Sequence, residues 1–283
     1  MRHPPCYNTC AMNYRSLSIN QLALIAIVAC IALIIFNQPQ AFVLSRWNQG
    51  SQAVPTIGAV AMPVADSSLL TIVVSDGLYV AERAQLDAES RRAYEYVTMR
   101  FGGSLTSPLT VAFVQDGGCA LSGIAYTDIR KVQVFTCDNI GRGRAIAILA
   151  HEYVHQLQQD RYGPRHLSAD LILSEGLATW AAGEYWLGGH PDFRSHVRNQ
   201  RANGVFYPLT THYAGRGVAV MNALYYQWAS FVEFLIGRYG RERFDALYVT
   251  GAGVPGSADY QTIYGKDLAT LEQEWISWID VER

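Results

Sequence analysis

A single pentapeptide constrains the fold of this chain more than any other feature. Residues 151–155 read His-Glu-Tyr-Val-His and lie in a stretch, residues 145–159, that contains no proline and carries apolar residues at helical spacing. Two histidines four positions apart lie on one face of a helix, so their ring nitrogens can meet on one zinc ion. Glu152 can then act as general base toward a water molecule at that ion. With 7 histidines in 283 residues such a pattern rarely arises by chance, and its apolar neighbours disfavour two solvated histidines.

A catalytic zinc ion needs a third protein ligand beside an open position. An extended HExxHxxGxxH motif is excluded, because Gln158 and Arg161 occupy the positions of its glycine and third histidine. Glu175 follows on the next predicted helix, behind a Gly-Pro turn at residues 163–164. The sequence therefore predicts one zinc ion per chain, with these ligands: His151, His155 and Glu175. The alternatives for the third ligand are Glu184, His166 and Asp170.

The segments HEYVHQ and SEGLATW together resemble the gluzincin zinc metallopeptidases, which belong to the peptidase MA-like group and have a zincin fold. In that family a later helix carries a Tyr-x-Gln segment and a Tyr-Gly turn precedes the last helices. Here residues 225–227 read Tyr-Tyr-Gln and residues 239–240 read Tyr-Gly, so the resemblance extends over residues 68–281. The chain departs from the family at Thr179, where many members have an acidic residue supporting a histidine ligand. It also has Ile-Leu at residues 172–173, where members often have tryptophan.

The resemblance implies an enzyme that hydrolyses peptide bonds in a peptide or protein substrate. Glu152 would take a proton from the attacking water and pass it to the leaving amine, and Tyr225 would stabilise the oxyanion. Tyr226 and His212 are alternatives to Tyr225, which can equally be a core aromatic residue. An endopeptidase is expected, because no glutamate-rich exopeptidase signature precedes the motif. In zincins an extended substrate often pairs with the strand before the motif helix, here residues 131–136.

Two other functions remain open from the sequence. One is a non-peptidase zinc hydrolase on the same scaffold, and the other is a catalytically inactive zincin-like binding module. The presence of Glu152 argues against the inactive module, because metal ligands alone would be enough for a structural role.

An uncharged apolar segment near the N-terminus predicts membrane anchoring. Every residue of 22–36 is apolar, and the window 17–36 carries no charge and is long enough to span a bilayer. Arg2 and Arg15 precede it, which by the positive-inside rule places the N-terminus in the cytoplasm. Alternatives are a cleaved signal peptide and a lipoprotein signal at Cys30. We predict a single-pass membrane protein of a bacterial cell with four segments: cytoplasmic tail 1–16, signal anchor 17–36, linker 37–66 and extracytoplasmic peptidase domain 67–283.

Composition and cysteine placement narrow the remaining classes. The chain has 22 basic and 24 acidic residues, so it lacks the basic excess of a nucleic-acid-binding protein. With 50% hydrophobic residues it is not a disordered chain. Cys119 and Cys137 are the two cysteines of the exported part and are expected to form a disulfide, the alternative being two free buried thiols. The oligomeric state is not predicted.

Short β-branched runs come first and long helical patterns follow, which predicts an α+β fold: a small N-terminal mixed sheet with a helix, then a mainly helical part, behind one N-terminal transmembrane helix. The predicted strands are residues 69–74, 109–114, 124–126 and 132–135. The predicted helices are residues 81–101, 144–160, 171–187, 190–200, 218–238, 241–249, 257–264 and 267–281.

Overall fold

The computed structural model describes residues 65–281. The predicted cytoplasmic tail, signal anchor and nearly all of the predicted linker therefore lie outside the described residues. Within the described part, no helix combines the length and the apolar character that crossing a bilayer requires.

The first part of the described chain contains a four-stranded mixed sheet. Its strands are β1 (Leu70–Val74), β2 (Leu109–Gln115), β3 (Ser122–Tyr126) and β4 (Lys131–Thr136). The spatial order is β1-β2-β4-β3, with β1, β2 and β4 parallel and β3 antiparallel to β4. In β4 buried and half-buried residues alternate, as expected for a strand between two packed layers.

The strand order corrects one expectation. The strand at residues 131–136 was expected to offer a free edge to substrate, but β4 lies inside the sheet between β2 and β3. The hairpin folds β3 back onto β4, so both sides of β4 are used by neighbouring strands. On this side of the sheet the free edge belongs to β3, and the opposite edge is β1.

Helices make up most of the remaining structure, and the predicted plan of a small mixed sheet followed by a mainly helical part is confirmed. The helices are α1 (Arg83–Phe101), α2 (Arg142–Tyr162), α3 (Leu171–Ala182), α4 (Glu184–Leu187), α5 (Phe193–Ala202), α6 (Val218–Tyr239), α7 (Arg241–Tyr248), α8 (Tyr260–Tyr264) and α9 (Leu268–Asp280). Short 3-10 helices cover Ser67–Leu69, Val80–Glu82 and Gly163–Ser168.

One predicted helix is divided. The pattern over residues 171–187 predicts a single helix, but the chain breaks at Gly183, which has φ +50°. A Cβ atom at Gly183 would lie 2.3 Å from the hydroxyl of Tyr96 and 2.7 Å from Nε of Arg100. Both side chains come from α1, so packing against α1 leaves room only for glycine here, and glycine at this positive φ ends the helix.

Helix α2 occupies the centre of the molecule. It packs against α1, β3, β4 and α3, and α3 packs in turn against α6. The crossing of α3 and α6 is very close at Gly176, where a Cβ atom would lie 2.7 Å from the carbonyl oxygen of Trp228. This close contact fixes the distance between α3 and α6, and hence the position of Glu175, the residue before Gly176.

A disulfide closes the open end of the β3–β4 hairpin. Cys119, in the loop before β3, is bonded to Cys137, directly after β4, with the two Cα atoms 5.1 Å apart. The predicted disulfide is confirmed.

Candidate metal centre

Helix α2 presents the two motif histidines on one buried face. The side chain of His151 is 3% exposed and that of His155 is 14% exposed. Their Nε2 atoms lie 3.2 Å apart. The four-residue spacing therefore does bring two ring nitrogens to one point, as the geometry of an α-helix requires.

Helix α3 brings a carboxylate to the same point. Oε2 of Glu175 lies 3.1 Å from Nε2 of His151 and 3.7 Å from Nε2 of His155. The ligand atoms of the three residues all lie within 4.8 Å of one another, so the group could hold a metal ion. Burial raises the pKa of Glu175, but the two histidines lower it more, to about 2, which keeps the carboxylate ionised.

The donor set fits zinc. Two imidazole nitrogens and one carboxylate oxygen are a ligand combination typical of catalytic zinc sites, in which a fourth position stays open. His151 and Glu175 are buried, and burial strengthens the attraction between a cation and the carboxylate.

The alternative third ligands are engaged elsewhere. Asp170 caps α3 and accepts hydrogen bonds from four groups: the amides of Ile172, Gly256 and Ala258 and the hydroxyl of Tyr260. Glu184 is exposed at the start of α4. His166 lies nearer the centre, with its ring 5.8 Å from that of His155, but its Nδ1 is paired with the hydroxyl of Tyr248 at 2.8 Å. Burial and His155 lower the pKa of His166 to about 3, so its ring is neutral.

The outer nitrogens of both motif histidines have polar neighbours. Nδ1 of His151 lies 3.5 Å from Oγ1 of Thr179. Nδ1 of His155 lies 2.7 Å from Oε1 of Gln158. The Gln158 contact was missed from the sequence, although its position three residues after His155 places it on the same side of the helix.

Glu152 faces the free edge of the sheet. Its side chain is buried, and the main-chain amide of Ala125 in β3 acts to lower its pKa. Strand β3 passes directly over it at Gly123, where a Cβ atom would lie 2.6 Å from Cγ of Glu152. Burial raises the pKa of Glu152 to about 7, within the range suited to a general base at neutral pH.

Two aromatic rings contact His151. The ring of Tyr225, on α6, is parallel to it within 6° at a centroid distance of 5.6 Å, and the ring of Trp186 lies 4.9 Å away. The Tyr225 hydroxyl is buried and forms no hydrogen bond of standard geometry within the described residues. Burial and the carboxylate of Glu175 raise the pKa of Tyr225 well above its usual value, so the phenol keeps its proton.

The two alternatives to Tyr225 are placed differently. The hydroxyl of Tyr226 donates to the carbonyl oxygen of Trp186 at 2.9 Å. His212 lies in the loop before α6, where its Nδ1 accepts a hydrogen bond from the amide of Ala214 at 3.0 Å. Of the three candidates, Tyr225 therefore has the ring that contacts a motif histidine.

Comparisons with known proteins give one weak similarity. No protein-family model and no curated protein sequence matches the chain. Among solved structures, the chain is similar to the crystal structure of an M1 zinc metallopeptidase from Deinococcus radiodurans, with 20% sequence identity and a TM-score of 0.42. The match covers 73% of this chain and 47% of that protein, so the chain spans less than half of its length.

Proposed function

We propose that this protein is a membrane-anchored zinc metallopeptidase that hydrolyses internal bonds of peptides or proteins. The observation that supports it best is a buried group of three side chains that could hold a metal ion, with the buried carboxylate of Glu152 on the helix that carries two of them. His151, His155 and Glu175 supply a donor set suited to zinc, and Glu152 lies beside them with its pKa raised to about 7. A purely structural zinc site needs the ligands but has no use for a buried carboxylate of this kind.

The residues of the chain have distinct roles in this proposal. A zinc ion held by two histidines and a glutamate lowers the pKa of water and polarises a carbonyl group. Glu152 accepts the proton of the attacking water on its carboxylate and then delivers it to the leaving amine. The hydroxyl group of Tyr225 stays protonated and donates a hydrogen bond to the oxyanion.

Strand β3 is the proposed docking edge for an extended peptide. Its free edge adjoins Glu152, and the main-chain amide of Ala125 in β3 acts to lower the pKa of that carboxylate. A peptide that adds to the sheet along β3 would have its backbone held beside the general base. Gly123 supports this arrangement, because any larger residue would displace Glu152.

The proposed location is the outer face of the cell membrane, with residues 17–36 as the anchor. The Cys119–Cys137 disulfide supports a compartment outside the reducing cytoplasm. Protease added to intact cells should remove the domain from the full-length chain. Without protease, sodium carbonate should fail to extract the full-length chain from membranes. A protein that is protected in intact cells would overturn the proposed orientation.

The activity is tested by digestion of a peptide library with the wild-type chain, with and without a zinc chelator, beside Glu152→Gln. We expect one zinc ion per chain in both proteins and cleavage by the wild type that the chelator abolishes. Glu152→Gln should slow cleavage by about 10²–10⁴-fold, since it removes general base catalysis. If the zinc-loaded wild type cleaves no peptide, the peptidase proposal fails. Hydrolysis of small esters alone would then favour another zinc hydrolase, and no turnover would favour a binding module.

A further inference from the structure

Gln158 connects the two helices that carry the candidate metal ligands. It lies on α2 and its side chain is completely buried. Oε1 of its amide group lies 2.7 Å from Nδ1 of His155, and Nε2 lies 2.7 Å from the main-chain oxygen of Ser174 on α3. One side chain thus links a histidine of the first helix to the backbone next to Glu175.

The partners of Gln158 determine which way its amide group points. The main-chain oxygen of Ser174 can only accept a hydrogen bond, so the amide nitrogen of Gln158 must face it. The amide oxygen then faces His155 and can only accept, so Nδ1 of His155 must donate. In a neutral imidazole with its proton on Nδ1, Nε2 carries the free lone pair. Nε2 of His155 lies 3.2 Å from Nε2 of His151 and 3.7 Å from Oε2 of Glu175, so its lone pair faces the other two candidate ligands.

We infer that Gln158 is a positioning residue for the metal site: it holds His155 in the tautomer that can bind zinc and fixes α2 relative to α3. This inference rests on the proposed zinc site and adds to it the residue that prepares one ligand. Metal-binding histidines commonly donate their second ring nitrogen to a carboxylate, carbonyl or water, and this outer contact tunes metal affinity. Here the acceptor is a neutral amide, which orients the ring without adding negative charge to the site.

The helix offers a matched control in Gln156. This residue is also completely buried on α2. Its Nε2 donates to the main-chain oxygens of Tyr126 at 3.1 Å and Lys131 at 3.3 Å, and its Oε1 accepts from Nη1 of Arg130 at 3.4 Å. Those oxygens belong to the β3–β4 hairpin, not to α3. Methionine at either position keeps a long unbranched side chain and removes the hydrogen bonds, so both variants suffer a similar loss of buried polar contacts.

The test measures zinc affinity by competition with a chelator in wild type, Gln158→Met and Gln156→Met, with thermal unfolding of each metal-free protein alongside. We expect Gln158→Met to weaken zinc binding by about 10–100-fold and Gln156→Met to leave it at the wild-type value, although both lower the unfolding temperature. Equal zinc affinities for wild type and Gln158→Met would overturn this inference and leave the proposed function standing. A wild-type chain that binds no zinc would overturn both.

A second measurement needs no variant and stands even if Gln158→Met does not fold. In the zinc-loaded wild-type protein, ¹⁵N NMR of the histidine rings should show a directly bonded proton on Nδ1 of His155 and none on Nε2. A proton on Nε2, with Nδ1 free or bound to metal, would overturn the inference, because Gln158 could not then accept from Nδ1.

Discussion

Helix α3 carries two buried carboxylates five residues apart, and their surroundings are opposite. Asp170 accepts hydrogen bonds from four donors that the fold itself supplies, so its oxygens are fully used. Glu175 has no backbone donors of this kind: its neighbours are the Nε2 atoms of two histidines, which carry lone pairs once the rings take the zinc-binding tautomer. A carboxylate supplied with donors stabilises the fold, whereas three groups of lone pairs turned toward one point are arranged for a cation.

A third carboxylate shows how the fold balances charge where no metal is needed. Asp245 on α7 is paired with the guanidinium groups of Arg161 and Arg241 and lies beside the hydroxyl of Tyr162. Its partners are permanent cations. The three carboxylates therefore differ in their partners: uncharged hydrogen-bond donors for Asp170, arginines for Asp245 and, by our proposal, a zinc ion for Glu175.

The largest expected effect separates Glu175 from Asp170. Glu175→Gln should weaken zinc binding by more than the ~100-fold that loss of an outer contact costs, because it removes a charged ligand. Asp170→Asn should leave zinc affinity close to that of the wild type in the fraction that folds. Chelator competition measures both. Equal losses of affinity in the two variants would show that the contrast between them is wrong.

For stability the order of the two residues should be reversed: substitution of Asp170 should destabilise the metal-free protein more than substitution of Glu175. Asp170→Ala removes a helix cap and leaves buried donors without an acceptor, so we expect a loss of about 3 kcal/mol in the free energy of unfolding. Glu175→Gln should cost the metal-free protein less than this, since the amide oxygen can still accept from Nε2 of His151 and the substitution removes a buried charge. Urea unfolding of the metal-free proteins gives both values, and a larger loss for Glu175→Gln would contradict the assignment of its role.

A smaller effect tests whether the position of α3 controls the site. Gly176→Ala places a methyl group against the backbone of α6 and should destabilise the protein by about 1–3 kcal/mol, while also weakening zinc binding. Gly237→Ala on α6 is the control, because nothing lies within 4 Å of its added Cβ atom, and it should stabilise by about 0.5–1 kcal/mol. Unchanged zinc affinity in Gly176→Ala would show that Glu175 reaches the histidines without this helix crossing.

The smallest effect concerns pH and Asp245. Burial raises the pKa of Asp245, but hydrogen bonding to Arg161 and the charge of Arg241 lower it more, so the folded-state value lies below normal. The stability that this carboxylate contributes is present above the unfolded-state pKa of about 3.9 and is lost as the pH falls through the lower folded-state value. Asp245→Asn should cost about 1–2 kcal/mol near neutral pH and progressively less below about pH 4. A difference in unfolding free energy that stays constant down to pH 2 would contradict this.

Local sequence patterns were enough to predict most of the helices and strands. They did not predict the contacts between segments that are distant in sequence. Helix α2 was expected at residues 144–160 and spans Arg142–Tyr162, because its apolar spacing and the flanking glycines are local signals. Glu175 followed from the need for a third ligand on the next helix. The spacing of the motif also placed both histidines on one face of α2.

The missed features depend on residues far apart in sequence. A side chain at position 183, where the helix breaks, is excluded by Tyr96 and Arg100, which lie more than 80 residues earlier. The edge position of β3 depends on how the hairpin folds onto the sheet. The role of Gln158 requires the carbonyl group of Ser174 to lie opposite it, and no spacing within α2 indicates that.

A crystal structure of the zinc-soaked protein, with anomalous data across the zinc absorption edge, tests most directly whether the side chains of His151, His155 and Glu175 hold one metal ion. We predict a single strong anomalous peak about 2.0–2.2 Å from Nε2 of His151, Nε2 of His155 and a carboxylate oxygen of Glu175. No peak at this point, or zinc bound there without Glu175, would contradict the account.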